Sequence, residues 1–193
     1  MTNITAEKIK KSALTLFVEY GYEGASLTDI GEEVGIKKQS IYGHFKSKDD
    51  LFLQVMNQVI QEEILELSDY FYQQKNESLY NLLYNFILHL KERYISNGER
   101  NMKFLLKMMF TPPNHLQETV ISRVFTYYKK LREYVEEVFV SHEEILIIDA
   151  EKGTISFLNF IDGLLVELVY TNIESFEERF NASWEVYWRG IKK

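Results

Sequence analysis

The stretch from Ser26 to Asp50, SLTDIGEEVGIKKQSIYGHFKSKDD, constrains this chain more than any other. Ser26 stands three residues before Asp29, the capping-box spacing. There a hydroxyl accepts a backbone N–H and the carboxylate reaches back to the serine N–H. A short helix is predicted from Leu27 to Val34, with Leu27, Ile30 and Val34 on one stripe. Gly35 is the residue type best able to take the left-handed conformation that stops a helix. Ile36 plugs the turn, and a further helix is predicted from Lys38 to Phe45 with Ile41 and Phe45 pointing inward. Two short helices joined by a tight glycine turn form a helix-turn-helix, which can lay its second helix in the major groove of DNA.

The charges sharpen that reading. Lys37, Lys38, Lys46 and Lys48 fall within twelve residues with no acid among them. Gln39, Ser40, Tyr42 and His44 add hydrogen-bond donors. Phosphates are held by such donors, and base edges are read by the first residues of a recognition helix. Ser47 and Asp50 repeat the capping spacing and open another helix. Lys48 then lies in a first turn, where a cation opposes the helix dipole. A phosphate bound at that helix end would explain the charge.

SLTDIGEEVGIKKQSIYGHFKSKDDL, with EKIKKSALTLFVEYGYEGAS before it, resembles the DNA-binding segment of the TetR family of bacterial transcription regulators. The resemblance covers roughly Ile9 to Phe52 and rests most on Tyr-x-His-Phe followed by Lys-x-Lys. It implies a dimer that binds a palindromic operator, acts as a repressor and lets go when a small molecule binds. Position by position, it implies that Thr28 touches a phosphate, that Lys38, Gln39 and Ser40 lie close to bases, and that Tyr42, His44 and Lys48 hold the backbone. Lys37 stands where such sequences often have a serine cap, Gln39 where they often have glycine or proline, and Gly43 where a bulkier residue would reach a base. These departures bear on the operator sequence, not on docking.

The net charge of −7 is unusual for a DNA-binding protein, but its distribution resolves the conflict. Residues 1–50 carry seven lysines and eight acids, so most of the excess acid lies beyond them. With a screening length of about 8 Å at physiological salt, a local cationic patch acts despite distant opposite charge. The absence of cysteine excludes a disulfide framework, cysteine metal ligands and a cysteine nucleophile. The N-terminus, MTNITAEKIKK, does not read as a signal peptide, and no apolar run reaches the ~20 residues of a membrane span. A cytoplasmic location is expected. His-Glu-x-x-His, glycine-rich phosphate loops and Gly-x-Ser-x-Gly elbows are all missing, so neither enzyme nor cofactor is expected.

The remaining periodicity predicts an all-α chain of about nine helices. A three-helix head (1–47) would carry a larger helical effector-binding and dimerisation body (48–193). The first helix is predicted from a cap at Thr5 to Tyr20, with Gly21 as its stop and Tyr20 on its buried stripe. The fourth spans Lys48 to Gln73, a stiff lever between head and body. The fifth fits Ser78 to Ser96, ended by Asn97-Gly98, and the sixth Glu99 to Phe110, broken by Pro112-Pro113. Asn114 opens a seventh to about Phe139. Residues 140–148 read either as a helix capped by Ser141 or as a buried connection. Asp149 caps an eighth to Thr171, apolar nearly all round, and the ninth runs Ser175 to Ile191. Its aromatic stripe is more than a monomer would expose. A two-fold interface through Leu158, Leu165, Val169, Phe180, Trp184 and Trp188 is therefore expected, as the resemblance also implies. For an apolar or aromatic inducer, the candidate pocket residues are Tyr84, Phe86, His89 and Phe104, together with Met108, Phe125, Tyr128 and Phe157. A helical ligand- or protein-binding adaptor without DNA function is the alternative.

Overall fold

The computed structural model describes residues 2–96 and 100–193, and nine α-helices lie among them. They are α1 (Thr2–Gly24), α2 (Leu27–Val34), α3 (Lys38–Ile41), α4 (Lys48–Gln73), α5 (Leu79–Ile95), α6 (Arg100–Phe110), α7 (Gln117–Val140), α8 (Ala150–Tyr170) and α9 (Ile173–Ile191). The expected stop at Asn97-Gly98 and start at Glu99 lie outside the described residues. The chain separates into two compact units, residues 1–63 with 98–126 and residues 64–97 with 127–193. The division falls inside α4 and inside α7.

The first unit is built on aromatic packing among α1, α4 and α6. Phe52 is fully buried, with the rings of Phe17 and Tyr22 each 5.1 Å away edge-on and Phe104 at 5.6 Å. Ile9, Ala13, Ile30, Ile41 and Met56 close the core around them. Lys107 donates to the carbonyl of Val18 at the far end of α1, and Arg123 Nη1 donates to the carbonyl of Leu53 at 2.7 Å.

The start of α1 lies before Thr5, and its end differs in an instructive way. Gly21 breaks the helix, as expected, but with φ 72° and ψ 178°, a conformation open essentially to glycine alone. One more helical turn follows. The break resets the phase of the stripe. Tyr20 therefore points out, 63% exposed, and Tyr22 takes the inward place.

In the second unit α5, α8 and α9 pack together, with Phe86, Phe139, Phe157 and Phe176 fully buried. Ser78 caps α5, and Asp149 caps α8 by accepting the Lys152 N–H at 2.8 Å. Asn172, not Ser175, caps α9, which starts two residues earlier than expected. Residues 140–148 form a short 3₁₀ turn at Glu143–Ile145 and then an extended strip. There Ile147 N–H donates to Ile191 and Lys193 N–H to Ile145, at 2.9 and 2.8 Å, tying the strip to the chain's end. Gly153 lets α8 approach α7. A Cβ there would sit 2.4 Å from the Phe139 ring.

The aromatic stripe of α9, expected at a two-fold interface, is covered in large part within its own unit. Trp184 is buried against Tyr80 and Tyr84, both at 5.4 Å, and against Phe180 at 6.0 Å. Leu158, Leu165 and Phe180 are buried likewise, while Val169 and Trp188 are only partly covered. The large apolar side chains of α8 and α9 that are exposed are Ile155 and Tyr170 on α8 and Ile173 and Val186 on α9, while Val166 is half-covered like Val169. Although no span-length run was expected, α8 is long and apolar enough to cross a membrane by length and composition. Half of its apolar window is buried inside the protein. It also carries Glu167, which pairs with Arg179 at 2.9 Å and accepts from Thr171. These are features of a core helix.

Candidate nucleic-acid interface

The capping box at Ser26 forms as the spacing requires. Asp29 N–H donates to Ser26 Oγ at 3.1 Å, and Asp29 Oδ2 accepts from the Ser26 N–H at 3.3 Å. Leu27 and Ile30 bury the inner face of α2, leaving Thr28 exposed on the outer one. Gly35 ends the helix in the left-handed region, φ 75° and ψ 29°. Ile36 N–H then donates to the Gly31 carbonyl at 2.8 Å, folding the turn back onto α2.

That fold-back depends on a residue the sequence reading overlooked. A Cβ on Gly31 would lie 2.7 Å from the Ile36 carbonyl oxygen and 3.5 Å from the Lys38 nitrogen. Glycine is required where backbone crosses backbone. The available signal was a lone glycine inside a helical pattern.

α3 is shorter than expected. It ends at Ile41, where a helix to Phe45 was predicted. Its last bonds tighten to three-residue spacing, Gly43 N–H to Ser40 at 3.2 Å and His44 N–H to Ile41 at 2.9 Å. Tyr42, Gly43 and His44 therefore form a turn. Ile41 and Phe45 are still buried, so the helix is anchored at both ends of that turn.

The outward residues are those the sequence singled out. Lys37, Lys38, Gln39 and Ser40 are exposed, Tyr42 is 50% exposed, and His44 is half-buried beside Phe45. Lys37, Lys38 and Lys46 enter no ion pair among the described residues.

Lys48 is held differently. Ser47 caps α4 by accepting from Asp50 N–H at 3.1 Å, while Asp50 Oδ2 returns to the Lys46 N–H at 2.7 Å. The Lys48 ammonium sits 4.2 Å from the centre of the Tyr22 ring. Burial lowers its pKa from the ordinary lysine value, opposed by Glu23 and Asp49. Tyr22 donates to Asp49, which also lies 3.4 Å from His115 Nε2. The hydrogen bond from Tyr22 is the main reason the Asp49 pKa lies below the usual carboxylate value. The sequence reading missed Tyr22, because the reset at Gly21 that brings it here carries no periodic signal.

The eight candidate pocket residues are divided between the two units. Phe104, Met108 and Phe125 belong to the first unit and the others to the second. Phe86, Phe104, Met108 and Phe157 are packed shut, and Phe125 is 62% exposed, a correction to its expected inward position. Tyr84, His89 and Tyr128 are partly covered. Tyr128 donates to Asp162 at 2.6 Å; burial raises the pKa of both groups.

A capped helix, a glycine turn and a short basic helix anchored at both ends define a helix-turn-helix protein. Residues 9–55 match the family described as bacterial regulatory proteins, tetR family. The chain is similar to the biofilm operon icaADBC HTH-type negative transcriptional regulator IcaR of Staphylococcus aureus (strain Newman). The two are 37% identical over 91 residues, 46% of this chain and 49% of that regulator. The match thus spans about half the length of these curated relatives. Among solved structures, a TetR-family transcriptional regulator from Agrobacterium tumefaciens shares the fold at a TM-score of 0.76, with 21% identity and full coverage of both chains. The structure of AibR in complex with isovaleryl coenzyme A and operator DNA gives a TM-score of 0.59 at 18% identity, over 81% of this chain and 83% of that one.

Proposed function

We propose that this protein is a dimeric repressor of transcription in the cytoplasm, binding a palindromic operator through residues 1–47 and released from it by an apolar or aromatic small molecule bound in residues 48–193. The observation that carries the DNA-binding reading is the set of lysines without an ion-pair partner among the described residues, Lys37, Lys38 and Lys46, around a short exposed helix on an otherwise acidic chain. The similarity to a negative regulator supports the repressing sign. Lys38, Gln39 and Ser40 are assigned to base edges, and Thr28, Lys37, Tyr42, His44 and Lys48 to the phosphate backbone. Of the candidate pocket residues, Tyr84, His89 and Tyr128 are those through which an effector would enter.

The test is fluorescence anisotropy with DNA from the protein's own promoter region, titrated with salt. Each phosphate neutralised contributes about −0.9 to the log–log slope. Lys48→Ala is expected to weaken binding on all sequences and to flatten the slope by about one. An unchanged slope removes Lys48 from the interface. Gln39→Ala should instead shift which base is preferred, and equal loss on every sequence would refute its base-reading role.

Two-fold pairing is assigned to one stripe of α8, where exposed Ile155, Asn159, Gly163 and Tyr170 and half-covered Val166 recur at helical spacing, together with Val186 of α9. Gly163 has open space around its Cα within the chain, so a second backbone can approach there. Two copies would place their recognition helices on half-sites about 34–36 Å apart, or a multiple of that. Val166→Glu puts a charge in the middle of this stripe and is expected to convert the dimer to monomer in sedimentation velocity. A Val166→Glu protein that still sediments as a dimer would move the interface elsewhere.

A further inference from the structure

Tyr22, Asp49 and His115 converge at the start of α4, beside Lys48. Tyr22 donates its hydroxyl to Asp49, and His115 Nε2 lies 3.4 Å from the same carboxylate oxygen. The Tyr22 ring is buried, with its centre 5.1 Å from both the Phe52 ring and the His115 ring. Core packing thus fixes the ring at one end, and the bond to Asp49 fixes its hydroxyl at the other. The Lys48 ammonium stands 4.2 Å from the centre of that ring.

An acid is the usual partner for such an ammonium, and Glu23 and Asp49 are close enough to act on its charge. Yet Lys48 enters no ion pair among the described residues. Asp49 is bonded to Tyr22 and faces His115 instead. The difference matters for a phosphate ligand. An acid neutralises an ammonium and must be displaced before a phosphate can take its place. An aromatic face attracts the cation through its quadrupole, leaves the charge whole and leaves the N–H donors for another acceptor. A lysine free in solvent also loses rotamer freedom when it binds, and a ring beneath the ammonium removes part of that loss beforehand. Lys48 is half-buried, so part of it still faces solvent.

We propose that Tyr22 is a positioning residue for operator binding: its ring, tethered by Asp49, holds the Lys48 ammonium in place with its charge intact for a DNA phosphate. This rests on the assignment of Lys48 to the phosphate backbone. Tyr22 acts through Lys48 and needs no contact of its own with DNA.

The experiment joins a double-mutant cycle to a measurement that needs no variant at Tyr22. Affinity for a duplex from the protein's own promoter region is read by anisotropy over a salt series. The proteins are the parent, Tyr22→Leu, Lys48→Ala and the double variant, each first shown to unfold cooperatively. Tyr22→Leu keeps apolar bulk but removes the aromatic face, and should weaken binding about three- to tenfold. In the Lys48→Ala background the same change should cost nothing further. Tyr22→Phe restores the ring and should recover most of the affinity. In full-length protein labelled with ¹³C-lysine, the Lys48 ε-CH2 protons are assigned by their absence from Lys48→Ala. The ring current of Tyr22 should place them upfield of the other lysines, and they should stay there when duplex is added. Should Tyr22→Leu fail to fold, this signal decides. An ordinary Lys48 signal overturns the proposal, and so does one that leaves its upfield position on the duplex, since the ring would then store the lysine rather than present it. Equal losses from Tyr22→Leu in both backgrounds would make Tyr22 a core residue only. A salt slope unchanged by Lys48→Ala removes the phosphate assignment and this proposal with it, whereas a flattened slope beside an additive cycle removes this proposal alone.

Discussion

Phe52→Ala is expected to destabilise the protein by about 3–5 kcal/mol, the range for deleting a buried aromatic ring. Phe52 has no exposed surface, and three rings, two from α1 and one from α6, meet it: Phe17 and Tyr22 at 5.1 Å and Phe104 at 5.6 Å. Each of those rings is itself fixed. Phe17 and Phe104 are fully buried, and Tyr22 is tied to Asp49 at the start of α4. The cavity therefore cannot collapse cheaply, and the cost belongs at the upper end of the range. Against a total stability of roughly 5–15 kcal/mol, that loss removes a large share of the folded population. Urea unfolding followed by circular dichroism should show a lower midpoint with little change in slope. Leu65→Ala on the same helix is the comparison. Leu65 is 65% exposed, and its change should stay within about 0.5 kcal/mol. A Phe52→Ala loss below about 1 kcal/mol would mean that the neighbouring rings close over the gap, and that this cluster is not the anchor of the unit.

What the sequence made legible, and what it hid, divides along a physical line. Features set by neighbours within four residues were readable. The capping box at Ser26, the N-cap at Asp149, the left-handed Gly35 and the extent of α4 all stand where spacing placed them. The exposed set Lys37 to Ser40 follows from the same local logic, because burying Ile41 fixes which side of a short helix faces out. Features set by where backbone meets backbone were not readable. Gly21 resets the phase of a stripe, and periodicity alone exchanged Tyr20 for Tyr22. Gly43 tightens the turn after α3, and the helix expected to reach Phe45 stops at Ile41.

The apolar faces show a second limit. Periodicity reveals that one side of a helix is apolar, but not whether the chain itself or another copy covers it. The stripe holding Phe180 and Trp184 was read as an interface, yet Tyr80 and Tyr84 from α5 cover it, about a hundred residues earlier in sequence. A weaker stripe on α8, containing Asn159 and Gly163, is the one left facing outward. Cavities are harder still. A cleft at Gln58 is lined from positions near 10, 58 and 100, and no local pattern could announce that α1, α4 and α6 leave space between them.

Gly31→Ala is the sharpest test of the helix-turn-helix geometry itself. In an ordinary helix interior, exchanging glycine for alanine gains up to about 1 kcal/mol, because alanine loses less conformational freedom. Here the sign should reverse. The new Cβ would stand 2.7 Å from the Ile36 carbonyl oxygen, well inside van der Waals contact, and that oxygen is backbone. It cannot swing away as a side chain would, since the Ile36 N–H is bonded to the Gly31 carbonyl at 2.8 Å. Relief requires moving the turn, and α3 with it, at a cost of about 1–3 kcal/mol. Gly190→Ala in α9 is the matched control. It has open space around it and no positive φ, so it should be neutral or slightly stabilising. DNA binding should separate the two further. Gly31→Ala displaces the residues assigned to bases and phosphates together, so affinity should fall on every operator sequence, whereas Gly190→Ala should leave it unchanged. A Gly31→Ala protein as stable as the parent and equal to it in operator affinity would show that α3 need not sit so close to α2, and the placement of Lys38, Gln39 and Ser40 as a recognition surface would lose its support.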